Sequence, residues 1–388
     1  MGATWSSAGE TENVDSLRQE PSDRLTISGL GSAWPDLLVG TADLKEYAES
    51  IYPANAPWLQ KLLMVNAQTG VQTRAVLECW NDPIWRGPVP PTIEQVHEAF
   101  DKYAPPLTAS AARKALNESG IAASAITHMV SVTATNCKCP GYDHLVAKEL
   151  GISGDAEKTL LSGSGCAGGL AALRVANSMA CAASLRGRPA RILVVACELS
   201  SINLRAELEA ANQSGKLRIG AALFSDGAAA VVLCNDLALA EKTPRLFTVE
   251  DWCQNVAAET YDEVSVTTVS QGFLVYLSRT LPKHAAAAVH RPLQRLFGER
   301  AAMAKNFDWA LHAGGSAIIQ GVQKSVGIPD QRLRATSDVY STRGNTASVT
   351  VLAVLDKLRT LGPGTEDVVV CSFGPGLTVE MARLKRHC

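Results

Sequence analysis

The stretch that decides the interpretation of this sequence reads Leu161-Ser162-Gly163-Ser164-Gly165-Cys166-Ala167-Gly168-Gly169, followed by an alanine-rich run over residues 170–185. A cysteine surrounded by small residues at the start of a helix has the surroundings that a nucleophile needs. Glycines allow a tight turn and a close approach of substrate, and the positive end of a helix favours thiolate over thiol. A buried, inert structural cysteine fits the same pattern, so this segment alone leaves both interpretations open.

The composition bounds the class of protein. A chain of 388 residues is expected to form two packed lobes or one large α/β unit. Its 46% hydrophobic and 19% charged residues supply a sizeable interior, whereas only 5% are aromatic. A formal net charge of −2 excludes a strongly basic nucleic-acid-binding protein.

Cysteine usage indicates a reducing compartment. The sequence shows no signal-peptide character and its cysteines are scattered, so we expect a cytoplasmic protein without a disulfide framework. Cys137 and Cys139 form a C-x-C pair, but no second pair follows at zinc-site spacing, so no metal is expected. No apolar run is expected to span a membrane. The ten cysteines are Cys79, Cys137, Cys139, Cys166, Cys181, Cys197, Cys234, Cys253, Cys371 and Cys388.

The first residues carry only weak signals. Met1-Gly2-Ala3-Thr4-Trp5-Ser6 matches a loose N-myristoylation pattern, which is too short to decide whether Gly2 is acylated. Residues 1–23 are polar and without periodicity, so they are predicted to be disordered.

The interior alternates between strand and helix patterns, which predicts an α/β architecture with helices covering sheets. The predicted strands cover residues 129–133, 191–196, 228–233, 309–312 and 368–371. The predicted helices cover residues 110–119, 141–150, 168–185, 315–326 and 348–361.

A faint internal repeat links the two halves of the chain. Residues 130–150 and residues 308–327 both read as a strand, a loop containing glycine, and a helix ending before a glycine. Such a repeat is typical of a duplicated α/β half. We therefore predict two halves, residues 24–244 and residues 245–388, joined near Pro244.

Two further segments carry residues suited to catalysis. His312 stands at a predicted strand end before Gly314 and Gly315, and Asn345 follows Gly344 at the start of a helix. Taken singly, His312 is equally typical of a core histidine and Asn345 of a helix N-cap. Together with Cys166 they form a Cys, His and Asn set, each in a glycine-flanked loop at an element junction, where catalytic groups concentrate.

At this point the residues carry a family resemblance, over about Asp23 to Lys385. The sequence resembles the type III polyketide synthases, the chalcone-synthase-like family, and within it the fungal alkylpyrone and alkylresorcylic acid synthases. The resemblance implies a thiolase fold with duplicated α/β halves in αβαβα layers, and a homodimer. The matching segments are residues 165–169, 222–230, 312–315, 344–348 and 373–380, with the fungal likeness at residues 197–199 and 205–209.

The resemblance also implies the chemistry. Cys166 accepts an acyl group from CoA as a thioester, and His312 lowers the pKa of that thiol by pairing with its thiolate. His312 and Asn345 donate hydrogen bonds to the thioester oxygen of malonyl-CoA, so that loss of CO2 leaves a stabilised enolate. The expected substrates are a medium- or long-chain fatty acyl-CoA and malonyl-CoA, with no cofactor beyond these CoA thioesters. The expected products are alkylpyrones, alkylresorcinols or alkylresorcylic acids, or a pyrone made from two β-ketoacyl units.

The same resemblance assigns positions around the substrate. Phe224 matches a gatekeeping phenylalanine, and Val275 falls where plant members carry a second one, so that valine widens the passage. Cys139 replaces a methionine that many plant enzymes extend into the neighbouring subunit, and Lys61 is a candidate contact for a CoA phosphate. The full set of expected substrate-binding residues is Phe224, Val275, Asn203, Cys139, Ala347, Lys61, Gly314, Gly374 and Pro375.

Three alternatives use similar residues. A ketoacyl synthase of the fatty-acid-initiating type uses the same Cys, His and Asn, but usually has His-Gln-Ala-Asn where this sequence has residues 312–315. A papain-like protease has the same order of residues but needs a Cys-Gly-Ser-Cys-Trp signature that is absent here. A non-catalytic acyl-CoA-binding protein on the same fold is the third, and the intact set argues against it.

Overall fold

The computed structural model describes residues 25–387. The predicted disordered tail of residues 1–23 and the acylation pattern at Gly2 lie outside that range. Within it the chain forms thirteen strands and thirteen α-helices.

The strands are β1 (Leu25–Ala33), β2 (Leu37–Val39), β3 (Arg74–Val76), β4 (His128–Val132), β5 (Glu157–Leu161), β6 (Arg191–Leu199), β7 (Asp226–Cys234), β8 (Phe247–Val256), β9 (Val264–Val269), β10 (Gly272–Leu277), β11 (Asp308–Leu311), β12 (Asp367–Gly374) and β13 (Thr378–Arg386). The helices are α1 (Thr41–Glu49), α2 (Pro57–Gln68), α3 (Pro83–Arg86), α4 (Ile93–Ser119), α5 (Tyr142–Leu150), α6 (Gly168–Leu185), α7 (Leu204–Ser214), α8 (Gly220–Leu223), α9 (Leu281–Ala288), α10 (His290–Phe297), α11 (Ser316–Val326), α12 (Arg334–Arg343) and α13 (Ala347–Thr360).

Nine strands form one continuous sheet whose two parts repeat the same topology. The strand order is β11-β12-β13-β8-β1-β7-β6-β4-β5. In the first half β1 is antiparallel to β7, β7 to β6, and β6 is parallel to β4. In the second half β8 is antiparallel to β13, β13 to β12, and β12 is parallel to β11. The predicted duplication of an α/β half is therefore present in the fold, although the division between residues 244 and 245 stays a prediction.

The helices complete a five-layer arrangement. α6 and α13 pack against each other and against strands of both halves, so they form the middle layer. α4 and α5 cover the outer face of the first half, and α9, α10 and α11 cover that of the second. The middle layer is rich in small residues because its helices approach closely: a Cβ on Gly169 would lie 2.2 Å from the carbonyl oxygen of Ser348. The αβαβα layers implied by the resemblance are confirmed.

The predicted elements agree with the structure except at α4. Each of the five predicted strands and the other four predicted helices coincide with observed elements to within a few residues. α4 begins 17 residues before the expected start, with a capping box between Thr92 and Gln95. It continues through Pro105 and Pro106 because its apolar face is buried against the first half of the sheet. Tertiary packing here outweighs the local cost of proline in a helix.

One apolar segment is longer than expected. Residues Gly165–Leu185 reach a length and a mean hydropathy of 1.2 that are compatible with crossing a membrane. More than half of this apolar segment is buried inside the protein, where α6 lies in the middle layer. A core helix commonly passes the same test, so this segment is weak support for a membrane span.

Candidate functional site

The Cys, His and Asn set meets at the ends of the two central helices. Cys166 lies in a 3-10 turn, Gly165–Ala167, that leads directly into α6. Asn345 lies two residues before α13 begins at Ala347, and His312 follows the last residue of β11. All three line one cavity. The fold therefore brings together residues that are up to 179 positions apart in the sequence.

The cysteine turn is held from the second half of the chain. The Ser372 hydroxyl donates to the carbonyl oxygen of Cys166 at 2.7 Å. Gly165 has a φ of +47°, and a Cβ there would lie 2.6 Å from Cδ of Pro375. Glycine is required at this position by both its conformation and its close contact. The two halves thus meet tightly at the nucleophile.

The amide of Asn345 has a defined orientation. Its Oδ1 accepts from the backbone N–H of Ala347 at 2.9 Å and from the Thr350 hydroxyl at 3.3 Å. Its Nδ2 donates to the carbonyl oxygen of Gly314 at 3.1 Å. Because an amide nitrogen carries two hydrogens, one N–H remains for a ligand in the cavity. The donor role expected of Asn345 fits this geometry.

His312 is buried and neutral. Its backbone N–H donates to the carbonyl oxygen of Cys371 at 2.8 Å, which continues the pairing of β11 with β12. Its Nδ1 is buried without a hydrogen-bond partner among the described residues. Burial lowers the pKa of His312 to about 3, so the imidazole is uncharged near neutral pH.

The thiol of Cys166 is enclosed by the protein. Burial raises the pKa of its thiol to about 12, and the nearby Glu198 carboxylate raises it further. Within residues 25–387 no hydrogen bond joins Sγ to the imidazole of His312. Enclosure disfavours both the thiolate and the imidazolium, so burial by itself favours an uncharged thiol beside an uncharged imidazole. The pairing expected from the family resemblance stays a prediction.

Glu198 is a buried acid for which the sequence indicates no role. It lies near the end of β6 and is fully buried. Its carboxyl accepts from the backbone N–H of Ala134 at 3.0 and 3.1 Å, from the Thr135 hydroxyl at 2.9 Å and from the Ser348 hydroxyl. Burial raises the pKa of Glu198 to about 7, although these hydrogen bonds oppose the shift. Only the neighbours gathered by the fold reveal this site, because a single glutamate within a strand carries no local signal.

Arg74 is a second buried charge without a sequence signal. Its Nη1 donates to the carbonyl oxygens of Ala221 at 2.8 Å and Phe224 at 3.3 Å. Burial lowers the pKa of Arg74 to about 10, and the carboxylate of Asp226 opposes that shift. Arg74 therefore holds the backbone within α8, at Ala221, and directly after it, at the expected gatekeeper Phe224, which also lines the cavity.

The cavity and the solvent-open space at its mouth together measure about 1100 Å³. Its wall is mainly apolar, with aliphatic side chains from the hairpin of β9 and β10 and from α9 and α11. Such a cavity suits an apolar ligand of considerable size. The expected site residues that line it are Cys166, His312, Asn345, Phe224, Val275, Asn203, Ala347, Gly314, Gly374 and Pro375.

Two expected site residues lie elsewhere. Cys139 is exposed and does not line the cavity of its own chain. The loop after β4 touches the cavity only at its start, through Ala134 and Thr135, and then runs toward the edge strand β5, where Gly141 approaches Leu160. Lys61 is exposed on α2, away from the cavity lining, and its role toward CoA stays a prediction.

Residues 25–387 contain no cluster of three or more His, Cys, Asp or Glu side chains placed to hold a metal ion. No disulfide joins any of the cysteines in that range.

Comparison with known proteins places the chain in a family. Residues 14–237 match the chalcone and stilbene synthase N-terminal domain, and residues 249–386 match the C-terminal domain of the same enzymes. The chain is 40% identical to the type III polyketide synthase pspB of Penicillium soppii, over 95% of this chain and 98% of that protein. It is 30% identical to the acylalkylpyrone synthase csyB of Aspergillus oryzae, over 94% of this chain and 95% of that protein.

Solved structures agree with these matches. A type III pentaketide synthase from Neurospora crassa superimposes with a TM-score of 0.90 at 38% identity, over 94% of this chain and all of that one. CsyB complexed with CoA-SH superimposes with the same TM-score at 28% identity, over 94% and 100% of the two chains. These matches favour the polyketide synthase interpretation over the ketoacyl synthase alternative.

Proposed function

This chain belongs to the chalcone and stilbene synthase family as a type III polyketide synthase, an acyltransferase acting on CoA thioesters, and we propose that it extends a medium- or long-chain fatty acyl-CoA. Malonyl-CoA supplies the two-carbon units in repeated decarboxylative condensations. The products are alkylpyrones, alkylresorcinols or alkylresorcylic acids, or a pyrone that couples two β-ketoacyl units. The observation that carries the proposal is a Cys, His and Asn set at one corner of a large, mainly aliphatic cavity.

Transfer of the acyl group to the enzyme begins with the Cys166 thiol and the His312 imidazole both uncharged. The thiol proton of Cys166 passes to the imidazole of His312 as Sγ attacks the thioester carbonyl carbon of the starter. The carbon–sulfur bond to CoA breaks, and the departing CoA thiolate takes up the proton from the imidazolium. The chain is then an acyl thioester on Cys166, and His312 is neutral again.

Extension uses His312 and Asn345 as hydrogen-bond donors. The free N–H of Asn345 and the imidazole N–H bond to the thioester oxygen of malonyl-CoA. Loss of CO2 leaves an enolate whose negative charge lies on that oxygen, where preorganised donors stabilise it. The enolate carbon attacks the acyl carbon on Cys166, and the thiolate that leaves is ready for the next transfer of the lengthened chain from CoA.

The starter class follows from the wall of the cavity. Each additional methylene that leaves water for an apolar environment contributes about 0.8 kcal/mol. The apparent affinity for acyl-CoA starters should therefore rise by about fourfold per methylene until the cavity is filled. The name of the Aspergillus relative, an acylalkylpyrone synthase, supports an acyl starter of this kind.

The test is incubation with malonyl-CoA and a ladder of acyl-CoA starters from two to eighteen carbons, with mass analysis of the products. We expect products from the medium and long starters, with kcat/KM rising along the ladder to a plateau. The Cys166→Ala variant should form none of them. Turnover by that variant, or acceptance of only short or aromatic starters by the wild type, would overturn the mechanism or the starter class respectively.

Three further properties accompany the proposal. We propose a homodimer, supported by the edge of β5 that no strand within residues 25–387 covers and by the exposed side chain of Leu160 on β5. A cytoplasmic location is supported by the absence of disulfides within residues 25–387. The proposed reaction needs no metal and no redox cofactor, because each step moves only protons, CO2 and acyl groups.

A further inference from the structure

One wall of the cavity stands apart from the large sheet. β9 and β10 form a separate two-stranded hairpin, and β9 is the only strand paired with β10 in the described part of the chain. Phe273, Val275 and Leu277 alternate along β10 and all line the cavity. A hairpin of two strands is only marginally stable by itself, so other contacts must hold this wall in place.

Two polar side chains at the start of α7 occupy the free edge of β10. Oδ1 of Asn203 accepts from the backbone N–H of Phe273 at 3.0 Å. Oε1 of Glu207 accepts from the backbone N–H of Val275 at 2.5 Å. Asn203 and Glu207 are four positions apart, which places them on one face of the helix. Their spacing matches the alternate N–H groups of a strand edge, so the two side chains take the place of a third strand.

Glu207 is in turn fixed by a cation from the segment that follows α7. Nε of Arg218 donates to Oε2 of Glu207 at 2.9 Å, and its Nη2 donates to Oε1 at 3.4 Å. Glu207 is 5% exposed, and the Arg218 side chain is 18% exposed. Burying such a pair is costly compared with apolar residues of the same size. What the pair provides here is a rigid, charged acceptor for a backbone N–H, which makes a stronger hydrogen bond than a neutral one.

We propose that Asn203, Glu207 and Arg218 form a clasp that holds β10 against the cavity and thereby determines which acyl chain lengths the enzyme accepts. The role in chain length rests on the proposed function, whereas the clasp itself rests on the contacts alone. These three are positioning residues, because they act through the backbone of β10 and not on the reacting atoms. For Asn203, the proposal assigns the amide oxygen to the hydrogen bond with the backbone N–H of Phe273, in place of a direct contact with the substrate.

Hydrogen exchange tests the clasp directly. In Glu207→Ala, the amides of Phe273 and Val275 should exchange at least tenfold faster than in the wild type. Glu207→Gln keeps an oxygen acceptor and should stay closer to the wild type. The matched controls are Lys216→Ala, which removes an exposed cation from the segment containing Arg218, and Glu250→Ala, which removes an exposed acid. Both should leave the exchange of these two amides unchanged.

Steady-state kinetics tests the consequence for specificity. The ratio of kcat/KM for the longest to the shortest accepted starter should fall at least tenfold in Glu207→Ala, mainly through KM of the long starter. The shortest starter should change less than twofold, because it contacts only the surroundings of Cys166. The single variant Arg218→Met should lower the ratio of kcat/KM for the longest to the shortest starter more than the double variant Glu207→Gln with Arg218→Met does. The reason is that the single change leaves the buried Glu207 carboxylate unpaired.

Unchanged exchange at Phe273 and Val275 in Glu207→Ala would overturn the clasp. An equal loss for all starters, accompanied by a lower melting temperature, would overturn its role in specificity. If the wild type rejects fatty acyl-CoA, the proposed function fails, and the exchange experiment still decides the clasp.

Discussion

The corner around Cys166 and the wall formed by β9 and β10 bound the same cavity but are held in different ways. At the corner, backbone segments from both halves of the chain meet at sheet ends and helix starts, as the bond from Ser372 to the Cys166 carbonyl shows. The wall is an aliphatic hairpin outside the large sheet, held at its edge by Asn203 and Glu207. The corner is therefore rigid through the fold, whereas the wall depends on a few side chains. We therefore expect that changes at the wall alter the chain-length preference without disturbing the chemistry at the corner.

The largest effect is expected on malonyl-CoA decarboxylation when a hydrogen-bond donor at the corner is removed. His312→Ala and Asn345→Ala should each reduce malonyl-CoA decarboxylation by about 10²–10³-fold, because each removes a preorganised donor to the enolate oxygen. Acyl loading of Cys166 should suffer more from His312→Ala, since only His312 accepts the thiol proton. Release of CO2 from malonyl-CoA and mass analysis of the loaded protein measure the two steps.

The exposed Asn212→Ala serves as the matched control for the asparagine and should behave as the wild type. Decarboxylation by Asn345→Ala at the wild-type rate would show that the corner does not work as described.

The second effect is the pH dependence of the protein's stability that arises from Glu198, near the corner. Burial raises the pKa of Glu198 to about 7 from an ordinary value of 4.5. Between these values the folded protein binds more protons than the unfolded chain, so this group makes the folded state less stable as the pH rises. The contribution is on the order of 1 kcal/mol per pH unit. Urea unfolding at pH 5, 6 and 7 should show this slope in the wild type.

Glu198→Gln cannot titrate and should lack that part of the slope. If the variant and the wild type change in parallel over this pH range, Glu198 is already ionised in the folded state.

The third effect is the pH dependence of the nucleophile. Because the pKa of Cys166 is raised to about 12, the thiolate fraction grows with pH throughout the neutral range. Alkylation of Cys166 by iodoacetamide should therefore accelerate by about tenfold per pH unit between pH 7 and 9. Mass analysis of the peptide containing Cys166 measures it separately from the exposed Cys137. A rate that is already constant from pH 6 upward would instead indicate a standing thiolate–imidazolium pair.

The smallest effect is expected at the wall. Val275→Phe adds volume to the side of β10 that faces the cavity and should disfavour long starters by about 1 kcal/mol, or roughly fivefold in kcat/KM. Decarboxylation at the corner should be unaffected. Tyr276→Phe is the matched control, because Tyr276 is the next residue on β10 and is 50% exposed on the opposite face. Equal losses for short and long starters in Val275→Phe would mean that the wall and the corner are not separable.

The parts of the molecule that could be predicted are those with a local signal. The pattern of small residues from Gly165 onward located α6 at Gly168–Leu185, because a glycine-rich turn before an alanine-rich run is read over a short stretch. His312 and Asn345 were found through their glycine-flanked loops. The repeated order of strand, loop and helix indicated the duplication, which the sheet topology bears out.

Other features had no local signal. Pro105 and Pro106 hid the first half of α4, whose buried face outweighs their cost. Cys139, which the family resemblance placed at a cavity, lies in a loop that turns toward β5 and does not line the cavity of its own chain. Glu198, Arg74 and Glu207 are ordinary charged residues in the sequence, and their partners are distant along the chain.

The sequence by itself thus indicated the fold class and singled out Cys166, His312 and Asn345 as candidate catalytic residues, because helix starts, tight turns and strand alternation depend on residues within a few positions of each other. Only the tertiary structure showed the burial that shifts the pKa values of Cys166 and His312, the contacts of the buried acid Glu198, and the side chains that hold the cavity wall. These depend on burial and on contacts such as that of Glu207 with Val275, 68 positions apart. The cost of enclosing a charge is set by all the atoms around it, which only the folded chain brings together.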